Sequence, residues 1–268
     1  MPSSQFIGPR EAPDLHVMSF NIRRKVPFTP REDPDRWSTR APRIRAFLAR
    51  EQPALLGVQE AMPPAVRVLL SGLGPTYRSI GYGRNSNRLG ERTPIFFDTR
   101  RLRLETWSQL ALSDTPDVPG SRGWGNRIPR MVVSGLFTDL ATGNSLHFLN
   151  SHFDHESQRA RVRSAVMLAE LVRDVPAILT GDFNTDTQTA PYRSLVPPLT
   201  DVFEAAPQKL SAEWGTFPDY GEPTLDRKRI DWMLATPGIE IVSAGIDARG
   251  YPENASSDHL AVQAVVRL

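Results

Sequence analysis

The sequence predicts an α/β protein in which two sheets pack face to face with helices on the outside. Three observations carry that prediction. Short apolar runs alternate with segments of helical period. The same scheme occurs in both halves of the chain, with strand-like pieces clustered between them. No linker rich in Gly, Ser or charge separates the halves, so 268 residues are read as one domain, long enough to bury a sizeable core.

The elements come in this order. LHVMSFNI (15–22) is strand-like, and residues 1–14 before it form an N-terminal extension to a domain of 15–268. STRAPRIRAFLARE (38–51) opens with Ser/Thr caps and carries Ile44, Phe47 and Leu48 at helical spacing. ALLGVQE (54–60) is a short buried strand and PPAVRVLLSGL (63–73) a helix. Strand-like pieces lie at 92–98, 102–110, 130–139 and 145–151. ESQRARVRSAVMLAELVRD (156–174) is the clearest helix, with Val162, Ala165, Val166, Ala169, Leu171 and Val172 as its expected apolar face. PAILTGDF (176–183) is a strand, and further strands fall near 228–235, 239–247 and 259–267. The stretch 113–130 is too rich in Pro and Gly for a regular element, and loops of that length are commonly functional.

Composition bounds the function. Hydrophobic residues at 40% and charged residues at 23% suit a soluble globular chain and exclude disorder. The net charge of +2 makes no global case for nucleic acid, leaving only a local basic patch open. Lys25, Lys209 and Lys228 are the only lysines among 32 basic residues, a bias that fits either arginine-rich codon usage or bidentate phosphate contacts. With no cysteine there are no disulfides, thiol nucleophiles or cysteine zinc sites. The N-terminus does not read as a signal peptide and no stretch approaches the roughly 18 apolar residues of a membrane span, so a cytoplasmic protein is the expectation. Nothing in the sequence sets an oligomeric state.

The informative pattern lies where strands end. VMSFN ends in Asn21, LLGVQE in Glu60, HFLNSHFD in His152 and Asp154, and ILTGDFN in Asp182 and Asn184. RIDWML carries Asp231, and SSDHLAV presents Asp258 and His259. Strands usually finish in turn residues, and any one of these could be a turn former or cap. Together, six strand ends bearing acid, amide or imidazole groups point to a site. A calcium-binding loop starting at Asp182 is excluded: it needs Gly at its sixth position and Glu at its twelfth, where Thr187 and Arg193 stand. Asp186 in that stretch reads as a cap for the next element, and His16, His147 and His155 as ordinary structural histidines.

MSFNIR, LLGVQE, NSHFDH, LTGDFNTD, RIDWML and SSDHLAV, in that order from Met18 to Val262, closely resemble the endonuclease/exonuclease/phosphatase superfamily, in a bacterial branch of largely uncharacterised members. The resemblance implies the DNase I-like fold, a four-layered α/β sandwich of two packed mixed sheets with outer helices and the active site at one end of the sheets. It also implies roles. Glu60 matches the position that binds a divalent metal, Mg2+ or Mn2+, with Asn21 beside it and Asp258 close by. Asp182 and Asn184 match the pair that orients the attacking water and contacts the phosphate. His259 matches the catalytic histidine and Asp231 its carboxylate partner. His152, with Glu91, matches a second histidine–carboxylate pair, while Arg130 and Asp154 sit at recurrent positions that touch substrate.

These groups suit phosphate-ester hydrolysis by direct attack of water, since none of them is a covalent nucleophile. The substrate is expected to be either nucleic acid or a small phosphorylated metabolite, the alternative being a non-catalytic module that binds a phosphate ligand on the same fold. Arg84, Arg88, Arg92, Arg122, Arg127 and Arg130 could line a track for nucleic-acid phosphates, and Trp124 could stack on a base or pack its own loop down.

Overall fold

The computed structural model describes residues 4–268. In chain order the elements are β1 (Leu15–Asn21), α1 (Trp37–Glu51), β2 (Leu55–Gln59), α2 (Pro63–Leu73), β3 (Tyr77–Ile80), β4 (Ile95–Asp98), β5 (Leu102–Ala111), β6 (Met131–Asp139) and β7 (Ser145–His152). They continue with α3 (Gln158–Leu171), β8 (Ala177–Asp182), α4 (Ala190–Leu195), β9 (Thr200–Asp201), α5 (Val202–Ala205), β10 (Gln208–Lys209), β11 (Asp231–Ala235), β12 (Glu240–Asp247) and β13 (Ala261–Arg267).

Among the described residues the strands form two mixed sheets. A seven-stranded sheet runs β10-β12-β13-β1-β2-β4-β3 and a six-stranded one β5-β6-β7-β8-β11-β9. The parallel pairs β1–β2 and β7–β8 lie side by side near the middle of each sheet, and their crossovers carry α1 and α3.

Period-two alternation along these strands builds the layers. On β1, Leu15 and Val17 face the other sheet, while Met18 and Phe20 face outward to Ile44, Leu48 and Leu69 of α1 and α2. On β8, Ile178 faces inward and Leu179 outward to Leu168 of α3 and Leu195 of α4. The order helix, sheet, sheet, helix is the four-layered sandwich expected from the sequence.

The inward-facing row changes character toward one end of the sheets. Apolar Val17, Leu55, Phe148 and Ile178 give way to Ser19, Gln59, Asn150 and Thr180, all fully buried. Gln59 Nε2 donates to Asn150 Oδ1 at 2.7 Å, and Asn150 Nδ2 donates to the Val58 carbonyl at 2.8 Å, so this polar layer ties one sheet to the other. Gly57 makes the tie close enough: a Cβ there would stand 2.4 Å from Thr180 Oγ1. One residue pair further along, the same row presents Asn21, His152, Asp182 and Asp231.

Several elements differ from expectation. The buried face of α3 is Ala160, Ser164, Ala165 and Leu168, while Val166 and Leu171 are exposed. The apolar stripe is thus rotated from the expected one, because small residues permit close packing on the sheet. The Ser/Thr expected to cap α1 lie inside it: the N-cap is Arg36, with no side-chain cap bond. Asp186 is not a helix cap either. Its carboxylate accepts the Arg229 N–H at 3.1 Å and so anchors the approach to β11, while Thr189 is the N-cap of α4. The segment 113–130 is irregular, as expected, and Trp124 packs it down: the ring is buried and Nε1 donates to Asp114 at 2.8 Å.

Candidate active site

The polar strand ends converge. Asn21 Nδ2 donates to Asp182 Oδ2 at 2.9 Å and to Glu60 Oε1 at 3.2 Å, and lies 3.4 Å from His259 Nε2. Its Oδ1 accepts the Arg23 N–H at 3.0 Å, which fixes which way the amide points. Asp231 pairs in register with Asp182, and so does His152, because β8 lies between β11 and β7. Glu60 leaves β2 with φ 61 and Asn184 leaves β8 with φ 50. Left-handed backbone at non-glycine residues is strained and persists where the surroundings over-determine it. Here the Arg24 N–H holds Glu60 Oε2 at 3.0 Å, and Asp182 Oδ1 accepts the Asn184 N–H at 2.9 Å.

These groups border a cavity of about 420 Å3 at one end of the two sheets. Glu60, Glu91, His152, Asp182, Asn184, Asp258 and His259 line it directly. Asn21 and Asp231 are fully buried behind that lining. Asp154 also stands back, accepting the Glu156 and Ser157 N–H groups at 3.0 and 2.7 Å and placing Oδ2 3.6 Å from Arg130 Nε.

The electrostatics separate two imidazoles. His259 Nδ1 lies 2.9 Å from Asp231 Oδ2. Burial alone would depress its pKa, but the charge of Asp231 and the hydrogen bond to it, with Asp182 and Asp258, outweigh burial and raise it to about 10. His259 is therefore an imidazolium at neutral pH. Its Nε2 lies 3.4 Å from Asn21 Nδ2 and 3.9 Å from Asp182 Oδ2 at the cavity wall. His152 behaves oppositely: burial, then the charges of Arg130 and Arg84, hold it well below the ordinary histidine range. Its Nδ1 stays 3.7 Å from Glu91 Oε1, beyond hydrogen-bond reach, because Glu91 ion-pairs with Arg84. His152 Nε2 instead approaches Asp182 Oδ2 at 3.5 Å.

Burial and then the negative charge of Asp231 push the Asp182 carboxyl up. Burial raises Asp258 as well, with Glu60 adding to it. For Glu60 burial is again the largest influence and acts upward, yet the Arg24 N–H, His259, Asn21 and Arg23 together hold it below the usual value. A charged Glu60 beside Asp258 is a repulsion that a cation would relieve. Carboxylate oxygens are among the donors that hard divalent cations take, so Glu60 and Asp258 fit such an ion, whereas Asn21, expected beside the metal, turns Nδ2 to Glu60 and spends Oδ1 on the Arg23 N–H. Asp182, Asp231 and His259 also bring one ligand atom each to within 4.8 Å of one another.

Residues that the sequence left aside complete the walls. Arg23 and Arg24 come directly after Ile22 and Asn21 and flank the opening, with Arg23 Nε 3.5 Å from Asp258 Oδ2. His155, read as structural, lines the cavity and places Nδ1 2.9 Å from Arg130 Nη2. Phe217 sets its ring 4.8 Å from that of His259. The expected arginine track does not hold together. Arg84 and Arg130 face the cavity, whereas Arg122 donates to the Arg127 carbonyl and Arg127 approaches Glu156 at 3.6 Å. From behind, fully buried Arg40 donates to the carbonyls of Ile22, Arg23, Arg24, Asp35 and Ser256 and pairs with Asp35 at 3.0 Å.

Residues 18–259 match the family model described as endonuclease/exonuclease/phosphatase family. The chain belongs to that family. No curated protein matches it, but solved structures do. An endonuclease/exonuclease/phosphatase from Bacteroides vulgatus is 28% identical, with 95% of this chain and 99% of that one covered at a TM-score of 0.87. A family protein from Bacteroides thetaiotaomicron is 31% identical over 94% of this chain and 97% of that one, TM-score 0.86. A mannosyl-6-phosphatase from the same organism is 30% identical over 95% and 100%, TM-score 0.85. A D. rerio TDP2 complexed with single strand DNA product, 16% identical over 95% and 99% at a TM-score of 0.74, shares the fold. Members of this family include phosphatases and nucleases, enzymes that act on phosphoesters. No helix of the described residues is long and apolar enough to cross a membrane.

Proposed function

We propose that this chain is a divalent-metal-dependent phosphohydrolase that cleaves a small phosphorylated metabolite by direct attack of water. One observation carries the reading. A single buried amide, Asn21, is hydrogen-bonded to the carboxylates of Glu60 and Asp182 and lies against the imidazole of His259. An acid for the ion, an acid for the water and a charged imidazole for the phosphate are thereby held at one cavity.

Glu60 and Asp258 would hold Mg2+ or Mn2+, with the Asn21 amide orienting Glu60, and the bound ion would offset the ester's charge and polarise a phosphoryl oxygen. The residues do the rest. Asp182 accepts from Asn21 and the Asn184 N–H, which orient its carboxylate toward the cavity; deprotonated, it holds the water and takes its proton. His259, charged and backed by Asp231, donates Nε2–H to a phosphoryl oxygen that gains charge as the water attacks. The P–O bond then breaks toward the alcohol oxygen, which takes up a proton to leave as the alcohol, balancing the one Asp182 removed from the water. Asn184 keeps Nδ2 on the Phe153 carbonyl at 3.0 Å, leaving its second N–H for the phosphate. Asp231 and His259 are better used in this way than as ligands of the ion, because a cation at that position would displace the proton they share.

The small-metabolite reading is supported by the absence of a continuous arginine track among the described residues and by similarity at 30% identity to a mannosyl-6-phosphatase. The test is a panel of sugar phosphates, inositol phosphates, nucleotides, RNA and single- and double-stranded DNA with Mg2+ or Mn2+, before and after EDTA. Sugar phosphates should be turned over fastest and EDTA should abolish the activity. Asp182→Asn and His259→Ala should each lower kcat about 10²- to 10⁴-fold with the fold intact by circular dichroism. A native rate for Asp182→Asn would refute the assignment, and a metal-loaded chain that hydrolyses nothing while binding phosphate esters would make it a binding module.

A further inference from the structure

Beside the catalytic cavity lies a second one of about 180 Å3, and the two share the side chains of Arg84 and Arg130 as their common wall. We propose that this annex receives the alcohol portion of the ester, and that this portion is a single sugar ring lying against Tyr82 and Trp107. The inference rests on the phosphohydrolase reading and names the class of leaving group.

Arg130 marks the junction. Its side chain is 4% exposed, Nη2 is taken by His155, and buried Nε and Nη1 have no hydrogen-bond partner. Nε still has the Asp154 carboxylate 3.6 Å away as an ion-pair partner, so Nη1 is the buried donor between the two cavities that a ligand acceptor would satisfy. An ester spanning both cavities brings one, with its phosphate in the larger cavity and its alcohol in the annex.

The annex has an aromatic side. The rings of Tyr82 and Trp107 lie 5.2 Å apart, and the Arg88 guanidinium sits 5.0 Å over Tyr82. A pyranose can place its C–H face on such a surface while its hydroxyls accept from arginine. A nucleobase needs a partner that both donates and accepts along its edge. Gln109, the annex amide that could serve, turns Oε1 to the Tyr82 N–H at 2.8 Å and Nε2 to Met131 Sδ at 2.8 Å, which leaves the hydroxyls of Ser108 and Tyr82 rather than a planar amide edge to face the ligand. No carboxylate among the described residues lines the annex. Its volume is also below the ~300–1,000 Å3 of pockets for drug-sized ligands, which leaves room for one ring.

The walls are formed in advance. The turn that carries Arg88 is closed by Gly83 N–H to the Arg88 carbonyl at 2.9 Å and by Arg88 N–H to the Asn85 carbonyl at 2.8 Å. Gly120, from the long irregular segment, approaches that turn so closely that a Cβ would lie 2.4 Å from the Ser86 nitrogen. Binding a ring here therefore orders little that is not already ordered.

The experiment compares glucose 6-phosphate, glycerol 3-phosphate and AMP as substrates with Mg2+, in the wild type, Tyr82→Ala and Arg88→Ala. Wild type should prefer glucose 6-phosphate, and the ratio of its kcat/KM to that of glycerol 3-phosphate should fall tenfold or more in each variant. Calorimetric binding of glucose 6-phosphate in EDTA should weaken in the same variants, a readout independent of turnover. An unchanged ratio in both variants, or a wild-type preference for AMP, overturns the sugar annex while leaving hydrolysis intact. Binding that depends on Tyr82 without turnover of any ester supports the annex and overturns the hydrolytic reading instead.

Discussion

Asn21 and Asp182 belong to different sheets and stand 161 positions apart, yet the amide of one donates to the carboxylate of the other at 2.9 Å. This bond spans the gap between the two sheets at the cavity end, and the same amide also donates to Glu60, so one side chain bridges the two carboxylates. Replacing Asn21 by Ala should lower kcat at least about 100-fold, as expected when a group that positions a catalytic carboxylate is lost. Asn21→Asp adds a third acid and should lower Tm in EDTA, with Mg2+ restoring part of the loss. Steady-state kinetics and thermal melts of both variants check this, and a Tm for Asn21→Asp unaffected by either agent would count against a metal at Glu60.

A cation held by Glu60 stabilises the folded chain by mass action whether or not substrate is present. Mg2+ or Mn2+ should therefore raise the Tm of the wild type. Glu60→Gln should shift the metal concentration needed for half the effect upward by tenfold or more. Differential scanning fluorimetry across a metal titration reads this without any activity assay.

Acid sensitivity should come in part from His16, far from the cavity. Burial, the largest influence, lowers its pKa from 6.5 to about 4, although the charge of Glu51 opposes that. Between those values the unfolded chain binds a proton that the folded chain refuses. Stability is then full above about pH 6.5 and falls as pH drops toward 4, by at most about 3 kcal/mol from this group. Urea denaturation in EDTA at pH 7, 5.5 and 4.5 should show a shallower decline for His16→Gln than for the wild type.

Gly57 predicts a purely mechanical effect. With Thr180 Oγ1 only 2.4 Å from an added Cβ, Gly57→Ala has to push the sheets apart beneath the site. The expected cost is about 1–3 kcal/mol of stability, with a fall in kcat as Asn21 and Asp182 separate. The double variant Gly57→Ala, Thr180→Ala should recover only part of the stability, since Asn150 Oδ1 still stands 2.7 Å from the added Cβ.

The four layers are legible because alternation and helical period write directly into sequence, and the site is legible because its residues end strands. Asn21, Asp182 and Asp231 extend the inward row of their strands, so one period-two count places each of them between the sheets. What stays hidden depends on loops. Nothing local distinguishes Arg23, Arg24 and His155, which face the cavity, from Arg122 and Arg127, which serve their own loop. The strand Tyr77–Ile80 escapes a reading of pattern, since its exposed Arg78 and Ser79 break the apolar run. The apolar face of α3 is misplaced by the same reading because small buried residues, Ala160 and Ser164, carry little hydrophobic signal.

The guanidinium of Arg40 never meets the cavity, yet the backbone that follows Asn21 and the backbone that leads into Asp258 hang from it. Lysine would keep the charge there but offer a compact ammonium in place of a planar fork, too short of directed donors to gather so many carbonyls. The cavity's shape is thus hostage to a residue that no bound molecule touches, and a seemingly mild exchange of one cation for another would loosen its walls from the far side.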